Sequence, residues 1–370
     1  MPRRALGKTR RLVVKVGTGT LTDAAGRFDR KNCERLASEL AEQARTRSVV
    51  LVSSGAIALG RRQLGLAPGK LKLEESQAAA AVGQIRLAHA WKEVLEQHDC
   101  AVAQMLLTLG DTEERRRYLN ARSTLNTLLK LGAVPVINEN DTVATAEIRY
   151  GDNDRLAARV AQMASADCLV LLSDVDGLYT ADPSRDPQAK FIPEVTGITP
   201  EIEAMAGGSA SDVGSGGMAT KVLAGRIAVA AGCNMCITAG REQHPLQRIE
   251  AGGRCTWFVA QASPKTVRKQ WIAGLLQPMG ALHVDAGAAK ALRGGKSLLP
   301  AGVTQVEGRF DRGDMVIVRD ADGIEIARGL SAYSSEDARR ASGRRSQELE
   351  AILGYRGRDE LIHRDDLVLT

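Results

Sequence analysis

The sequence predicts an α/β protein, in which a parallel β-sheet is covered by helices on both faces and a small β-rich, barrel-like domain follows. Two observations carry this prediction. From residue 11 to about residue 240, short and nearly continuous apolar runs alternate with longer segments of helical periodicity. Beyond residue 278, the apolar segments are short and are separated by glycine and aspartate turns.

Several apolar runs have the length and composition of buried parallel strands. They span residues 12–16, 48–52, 100–107, 133–137 and 168–172. Helices are predicted over residues 29–47, 75–97, 113–131 and 218–231, and Asp29 is placed to cap the first. Because ligands bind such a sheet outside the carboxyl ends of its strands, the polar residues that follow these runs are candidates for a functional site.

The length of 370 residues favours two domains, at roughly 150 residues per domain. We predict an α/β domain over residues 1–265, a packed connector over 266–278 and the β-rich domain over 279–370. Strands of the second domain are expected at 281–285, 302–306 and 314–319. The pair Asp322-Gly323 predicts a hairpin between residues 316–318 and 325–327.

Composition excludes several classes of protein. No run of about 18 apolar residues is present, and the first ten residues lack the apolar segment of a secretory signal, so we expect a cytoplasmic protein without membrane contact. The six cysteines have no disulfide-framework spacing. The pair Cys233 and Cys236 has no second ligand pair at zinc-site spacing, and we interpret both as buried packing residues.

The net charge of +6 resembles that of a nucleic-acid-binding protein, but it is unevenly distributed. Residues 279–370 carry 14 Lys and Arg against 15 Asp and Glu, so the excess lies in the α/β part. RNA binding by the C-terminal domain is therefore not expected, because non-specific RNA affinity depends on neutralising phosphates. Its cluster of Arg339, Arg340, Arg344 and Arg345 is interpreted as a solvated helix face, and a local basic patch is the alternative.

Three segments have the character of anion-binding sites. Lys15 lies within an otherwise apolar strand that is followed by Gly17-Thr-Gly-Thr20, so a phosphate partner would explain a buried ammonium group. A lysine that extends from an edge strand is the alternative. Ser53 and Ser54 follow the next strand, where they could bind a carboxylate or cap a helix. The loop Gly214-Ser-Gly-Gly-Met-Ala-Thr-Lys221 ends in a lysine at the start of a helix, although it is not a Walker A motif.

Two clusters of acidic and amide residues, Asn138-Glu-Asn-Asp141 and Gly151-Asp-Asn-Asp154, complete the pattern. Together with the lysine loops, they are typical of a site that holds an ammonium group, a magnesium ion and a polyphosphate. The five histidines lie outside all of these motifs. The residues therefore indicate phosphoryl transfer to a small polar acceptor without histidine chemistry.

The motifs, taken in order, resemble the glutamate 5-kinases of the amino acid kinase family. The resemblance also rests on Val52-Ser-Ser-Gly-Ala-Ile-Ala58 and Ser173-Asp-Val-Asp-Gly-Leu-Tyr-Thr-Ala-Asp-Pro183. It spans nearly the whole chain, because Ser297-Leu-Leu-Pro-Ala-Gly302 and Ser346-Gln-Glu-Leu-Glu-Ala-Ile-Leu-Gly-Tyr355 resemble the PUA domain of many bacterial members. The implied fold is the αβα sandwich of this family with a C-terminal PUA-like domain.

The resemblance implies a role for each matching residue. Lys15 and Lys221 would bind the transferring phosphate, and Asp154 would orient the two lysines. Ser54, Asp141 and Asn153 would bind glutamate. The residues implied to bind ATP are Lys15, Ser173, Asp174, Ser215, Gly216, Gly217, Met218, Ala219, Thr220 and Lys221. One departure is Gly19, where the family often has a serine, and it puts a single hydroxyl contact in doubt.

The resemblance further implies a reaction and partners. ATP and Mg²⁺ would phosphorylate the side-chain carboxylate of L-glutamate to give L-glutamyl 5-phosphate, the first step of proline biosynthesis. L-proline would inhibit by feedback, glutamyl phosphate reductase would consume the labile product, and a homo-oligomer (dimer or tetramer) is expected. Two alternatives remain: a kinase of the same fold that acts on another acceptor, and an RNA-binding protein whose kinase-like part is secondary.

Overall fold

The structure, a computed structural model, describes residues 6–23, 27–67, 69–143, 153–207, 217–274 and 277–370. The chain divides into two units, Met1–Pro264 and Lys265–Thr370, and each has its own hydrophobic core. In the described parts, no helix is both long and apolar enough to cross a bilayer.

The first five strands of the first unit follow the five predicted apolar runs, and the later ones were not predicted. The strands of this unit are β1 (Arg11–Val16), β2 (Ser48–Ser53), β3 (Val102–Leu107), β4 (Val134–Glu139), β5 (Cys168–Ser173), β6 (Leu178–Tyr179), β7 (Phe191–Ile192), β8 (Glu194–Val195), β9 (Asn234–Ala239) and β10 (Thr256–Phe258). Within the described residues, the main sheet has the order β3-β4-β2-β1-β5-β9-β10-β8, and β6 pairs with β7 separately. The predicted α/β class is confirmed.

Strand β1 lies at the centre of this sheet and is parallel to both neighbours, so that Val14 pairs with Leu51 and with Val170. One pairing departs from the predicted parallel pattern, because β10 runs antiparallel to β9. With only three residues, β10 is too short to have a recognisable pattern of its own.

Helices cover both faces of the sheet. They are α1 (Thr18–Leu21), α2 (Arg30–Ala44), α3 (Ala56–Gln63), α4 (Leu73–Glu96), α5 (Leu109–Glu113), α6 (Arg115–Lys130), α7 (Asn153–Ala164), α8 (Pro200–Met205), α9 (Met218–Ala230) and α10 (Pro245–Glu250). Asp29 caps α2 as predicted, by accepting a hydrogen bond from the Asn32 backbone N–H.

The alternation of side chains along β1 separates two apolar clusters. Val13 belongs to a cluster with side chains of α6, α7 and α9. Leu12, Val14 and Val16 belong to a cluster with side chains of α2, α4 and α10. Because side chains alternate with period two, Lys15 lies on the same face as Val13, toward α7 and α9.

All six cysteines are free, and Cys233 and Cys236 are buried, as predicted.

The second unit is a small sheet with short helices. Its elements are α11 (Pro264–Ala273), which begins at the unit boundary, β11 (Gly280–Val284), α12 (Ala286–Arg293), β12 (Val303–Gly308), β13 (Met315–Arg319), β14 (Glu325–Leu330), α13 (Ser335–Ala341), α14 (Leu349–Leu353) and β15 (Leu367–Leu369). The strand order among the described residues is β12-β11-β13-β14-β15. The predicted hairpin joins β13 to β14, with Gly323 at φ +78°. Helix α11 is tied to the end of the chain by an ion pair between Arg268 and Asp366, at 2.5 Å.

Helices α3 and α4 approach each other through two glycines. A Cβ atom on Gly60 would lie 1.8 Å from the Ala79 carbonyl oxygen, and one on Gly83 would lie 1.7 Å from the Ala56 carbonyl oxygen. Both contacts are with backbone, so neither helix can yield by turning a side chain. The two glycines therefore set the position of α3, which starts directly after Ser54 and Gly55.

We expect Gly83→Ala to lower the free energy of unfolding by about 2–3 kcal/mol, as overpacking of a rigid contact does. A typical Gly→Ala change inside a helix has the opposite sign, with a gain of roughly 0.5–1 kcal/mol. Urea denaturation of Gly83→Ala and of a control variant would measure the two free energies of unfolding. Gly110→Ala in α5 is the control, because its added Cβ would have no neighbour closer than 3.7 Å. Equal stability of the two variants would contradict the close-packing interpretation.

Candidate functional site

A cavity of about 520 Å³ opens at the carboxyl ends of β1, β2, β4 and β5. It collects side chains that are far apart in the sequence and were selected there as site residues. These are Lys15, Ser54, Asp141, Asn153, Ser173, Asp174 and Lys221. Asp154 lies directly beneath, and no part of it is exposed. The strand-end location follows from the parallel sheet, since all of these strands point their carboxyl ends toward the same edge.

The centre of the site is a buried carboxylate between two buried lysines. The Asp154 Oδ1 atom lies 2.5 Å from the Lys15 Nζ atom, and its Oδ2 atom lies 3.2 Å from the Lys221 Nζ atom. Asp154 lies in the first turn of α7, where the N-terminal end of a helix favours a negative charge. Lys221 lies in the first turn of α9, and Lys15 is the penultimate residue of β1.

The ionisation of Asp154 follows from competing influences. Burial, which is the largest of them, acts to raise the pKa of the carboxyl group, but the charges and hydrogen bonds of Lys15 and Lys221 together outweigh it. The pKa of Asp154 is therefore lowered and the group is a carboxylate. Two ammonium groups against one carboxylate leave the buried group with one excess positive charge. Both lysines line the cavity, where ammonium groups can bind an anion.

A row of amide groups borders the same cavity. Asn153 Nδ2 donates to Ser54 Oγ at 2.9 Å and to Asn138 Oδ1 at 2.8 Å. Asn138 Nδ2 in turn donates to Gln84 Oε1 at 2.8 Å. The α4 residue Trp91 donates its indole N–H to Ser53 Oγ at 2.8 Å and so joins that helix to the end of β2. Hydrogen bonds therefore hold Ser54 and Asn153, two of the residues that were predicted to bind glutamate, in a fixed arrangement.

Ser173 and Asp174 follow the end of β5 at the cavity margin. Ser173 Oγ donates to Asp174 Oδ1 at 2.8 Å. Burial acts to raise the pKa of Asp174, but the hydrogen bonds from Ser173 and from its own backbone N–H, with the more distant lysine charges, lower it overall. Asp174 is therefore ionised and exposed at the rim of the site.

The glycine loop is described only in part. Ser215 and Gly216 lie outside the described residues, and Gly217 is the N-cap of α9. No side chain of the described residues caps this helix, and the N-terminal end of a helix favours an anion. The Thr220 hydroxyl donates to the Gly217 carbonyl at 2.7 Å, inside the first turn. Met218 and Ala219 are half-buried, and of residues 217–221 only Lys221 lines the cavity.

Sequence reasoning missed several residues that line the cavity. Asn138 and Glu139 end β4 and are 2% and 6% exposed, respectively. Both belong to a motif that was selected, but neither was predicted as a site residue. A signal was available, because an asparagine and a glutamate at the end of an apolar strand are unusual core residues. Arg61 and Ser76, from α3 and α4, also line the cavity, and no sequence pattern marks them.

Within the part of the chain that the structure describes, the acidic side chains do not form a metal site by themselves. No group of three or more His, Cys, Asp or Glu residues in the described ranges could hold a metal ion. A site that binds Mg²⁺ through substrate phosphates and one or two carboxylates does not need such a group. The exposed carboxylate of Asp174 fits this second kind of site.

Comparison with known proteins gives consistent matches along the chain. Residues 10–239 match the amino acid kinase family, and residues 280–353 match the PUA domain. A glutamate 5-kinase of Paramagnetospirillum magneticum is 64% identical over 98% of this chain and 99% of its own length. The glutamate 5-kinase of Sinorhizobium fredii is 60% identical over 99% of this chain and 94% of its own. That of Agrobacterium fabrum is 59% identical over 100% of this chain and 95% of its own.

The lowered pKa of Asp154 leads to a prediction on stability. An aspartate in the unfolded chain has a pKa near ~3.9. Because the folded-state pKa is lower, the carboxylate stabilises the fold above that pH, and this contribution is lost as the pH falls through the folded-state pKa. We expect Asp154→Asn to lower the free energy of unfolding by about 3–5 kcal/mol near neutral pH, because two buried ammonium groups lose their counter-charge.

Denaturant titrations of wild type and Asp154→Asn at several pH values would measure this difference, which should shrink below about pH 4. Glu113→Gln, which removes an exposed carboxylate, is the control and should change stability little at any pH. A difference that grew toward low pH would show that the sign of the pKa shift is wrong.

Proposed function

We propose, since the chain belongs to the amino acid kinase family and within it to the glutamate 5-kinases, that it transfers the γ-phosphoryl group of ATP to the side-chain carboxylate of L-glutamate. The product would be L-glutamyl 5-phosphate. The observation that carries the mechanism is the buried group of Lys15, Asp154 and Lys221, whose excess positive charge faces the cavity.

The chemistry requires charge neutralisation more than proton transfer. A glutamate side chain has a pKa near ~4.3, so the acceptor oxygen is already ionised and needs no general base. The barrier arises from bringing this anion against the phosphate, and two ammonium groups at the point of approach lower it. Asp154 acts on both lysines, because its two carboxylate oxygens lie 2.5 Å and 3.2 Å from the two Nζ atoms and hold them close together.

The remaining side chains divide between the two substrates. Ser54, Asp141 and Asn153 would bind glutamate, with the carboxylate of Asp141 suited to the α-ammonium group. Ser173, Asp174 and the segment 215–221 would bind ATP, whose phosphates would lie at the N-terminal end of α9, where a helix favours an anion. Asp174 would also hold Mg²⁺, which, bound to the phosphates, supplies further neutralisation of their charge.

Further partners follow from the proposed product. An acyl phosphate hydrolyses readily, so a reductase that consumes it, glutamyl phosphate reductase, would act next in proline biosynthesis. A homo-oligomer, either a dimer or a tetramer, and a cytoplasmic location belong to the same proposal. RNA is not part of it, because residues 279–370 carry 14 Lys and Arg against 15 Asp and Glu, without an excess of basic residues.

An acceptor panel tests the proposal directly. Protein is incubated with ATP, Mg²⁺ and hydroxylamine plus glutamate, aspartate, N-acetylglutamate or carbamate, and hydroxamate and ADP are measured. We expect product with glutamate, and a kcat at least ~10²-fold lower for Lys15→Ala and Lys221→Ala, because each variant loses charge that acts mainly in the transition state. Lys31→Ala, at an exposed position of α2, is the matched control and should retain wild-type kcat. Near-normal turnover of Lys15→Ala or Lys221→Ala would show that the replaced lysine does not take part in the mechanism.

Feedback inhibition by L-proline is proposed at the same acceptor groups, because proline has the α-carboxylate and a similar ammonium group. If so, saturating glutamate should relieve the inhibition. Asp141→Asn should raise the KM for glutamate and the inhibition constant for proline in parallel, while the KM for ATP stays near wild type. Inhibition that saturating glutamate does not relieve would indicate a separate proline site.

A further inference from the structure

We propose that Gln84 of α4 is a positioning residue for the acceptor substrate. Through a chain of side-chain amides, it fixes the Ser54 hydroxyl as a hydrogen-bond donor into the cavity. This inference rests on the proposed function, because it assigns the Ser54 proton to a carboxylate of the acceptor. Gln84 does not line the cavity and would act only through Asn138 and Asn153.

The chain consists of three hydrogen bonds of normal length. Gln84 Oε1 accepts from Asn138 Nδ2 at 2.8 Å, and Asn138 Oδ1 accepts from Asn153 Nδ2 at 2.8 Å. Asn153 Nδ2 also donates to Ser54 Oγ at 2.9 Å. Gln84 is 9% exposed and Asn138 is 2% exposed, so water has little access to these groups. In such surroundings each amide takes the orientation that its neighbours impose.

A backbone carbonyl group determines which amide atom donates and which accepts in each of these three hydrogen bonds. Amide oxygen and nitrogen atoms must be assigned from their hydrogen-bond partners. The Ser53 carbonyl oxygen, which can only accept, lies 3.4 Å from Asn153 Nδ2, so the NH₂ group of Asn153 must face β2. Asn138 must then present its oxygen to Asn153 and its NH₂ group to α4. Only an acceptor at position 84 completes the chain, and Gln84 Oε1 supplies it.

The orientation of these amides determines how the Ser54 hydroxyl can bind a substrate. The two N–H groups of Asn153 are occupied by Asn138 and by the end of β2, and Ser54 Oγ accepts one of these bonds. A hydroxyl group has one proton, and that of Ser54, which meets no acceptor among the described residues, can point into the cavity that Ser54 lines. A carboxylate accepts and does not donate, so this polarity suits glutamate. The Oδ1 atom of Asn153 is left as an acceptor, which suits an ammonium group.

Gln84 has little freedom to leave this position. Its neighbour Gly83 touches the backbone of α3, so α4 cannot move at this point without moving the segment that carries Ser54. Among the described residues, Gln84 Nε2 is buried without a hydrogen-bond partner. An unsatisfied buried donor is destabilising, so the oxygen of this side chain is the end that has a structural use.

Steady-state kinetics on two variants of Gln84 test the proposal. Gln84→Met keeps the length of the side chain and removes the acceptor, so we expect a KM for glutamate about 5–10-fold higher, as the loss of one buried hydrogen bond implies. The KM for ATP should stay within about two-fold of wild type, since no nucleotide contact changes. Gln84→Glu keeps an acceptor oxygen and should restore the KM for glutamate to within about three-fold of wild type.

Gln43→Met is the matched control. Gln43 is a glutamine of α2 that is 5% exposed and does not line the cavity, so it undergoes the same substitution at similar burial. It should alter thermal stability without separating the two KM values. Should Gln84→Met not fold, Gln84→Asn withdraws the oxygen by one methylene and should raise the KM for glutamate in the same way.

The outcomes separate this inference from the proposed function. An active wild-type enzyme whose Gln84→Met and Gln84→Asn variants keep the KM for glutamate would overturn the role of Gln84 and leave the function intact. Equal increases in both KM values would show a merely structural role and would also overturn it. A wild-type protein that does not phosphorylate glutamate would refute the proposed function itself, before any variant is compared.

Discussion

The site depends on one electrostatic constraint, the sharing of the Asp154 carboxylate between two ammonium groups. Without that carboxylate, two like charges would face each other in the protein interior with no counter-charge between them, which is strongly destabilising. With it, both Nζ atoms lie within hydrogen-bond distance of a single side chain, and both lysines line the cavity. The architecture of the first unit can be understood as the means of bringing these three residues together, from one central strand and the starts of two helices on the same face.

Much of this arrangement could be predicted from the sequence, because it depends on local patterns. The apolar run before Lys15 marks β1, and the period of two along that strand decides which face carries the ammonium group. Asp154 and Lys221 could be selected because acidic-amide clusters and glycine loops at strand ends have a recognised chemical use. Family resemblance then supplied the roles of these residues, which periodicity alone could not.

The remaining features could not be predicted because they arise from proximity in space. Gln84 lies in an alanine-rich helix, where a single glutamine has no distinguishing pattern, and its partner Asn138 is 54 positions away. The close contact of α3 and α4 depends on two glycines, and an isolated glycine in a helical pattern does not specify what it will touch. The antiparallel β10 is likewise defined by its partners, since three residues carry no periodicity.

The ion pair between Arg268 and Asp366 has a practical consequence for dissecting the protein. It joins α11 to the last residues of the chain, so this helix belongs to the second unit although it precedes the first strand of that unit. A fragment that ended near residue 277 would retain Arg268 and lose Asp366, and would expose a helix whose partner has been removed. A fragment that ends at Pro264 follows the boundary between the units, and the complementary piece that begins at Lys265 keeps both charges of the pair. Each fragment would then keep the internal contacts of its own unit.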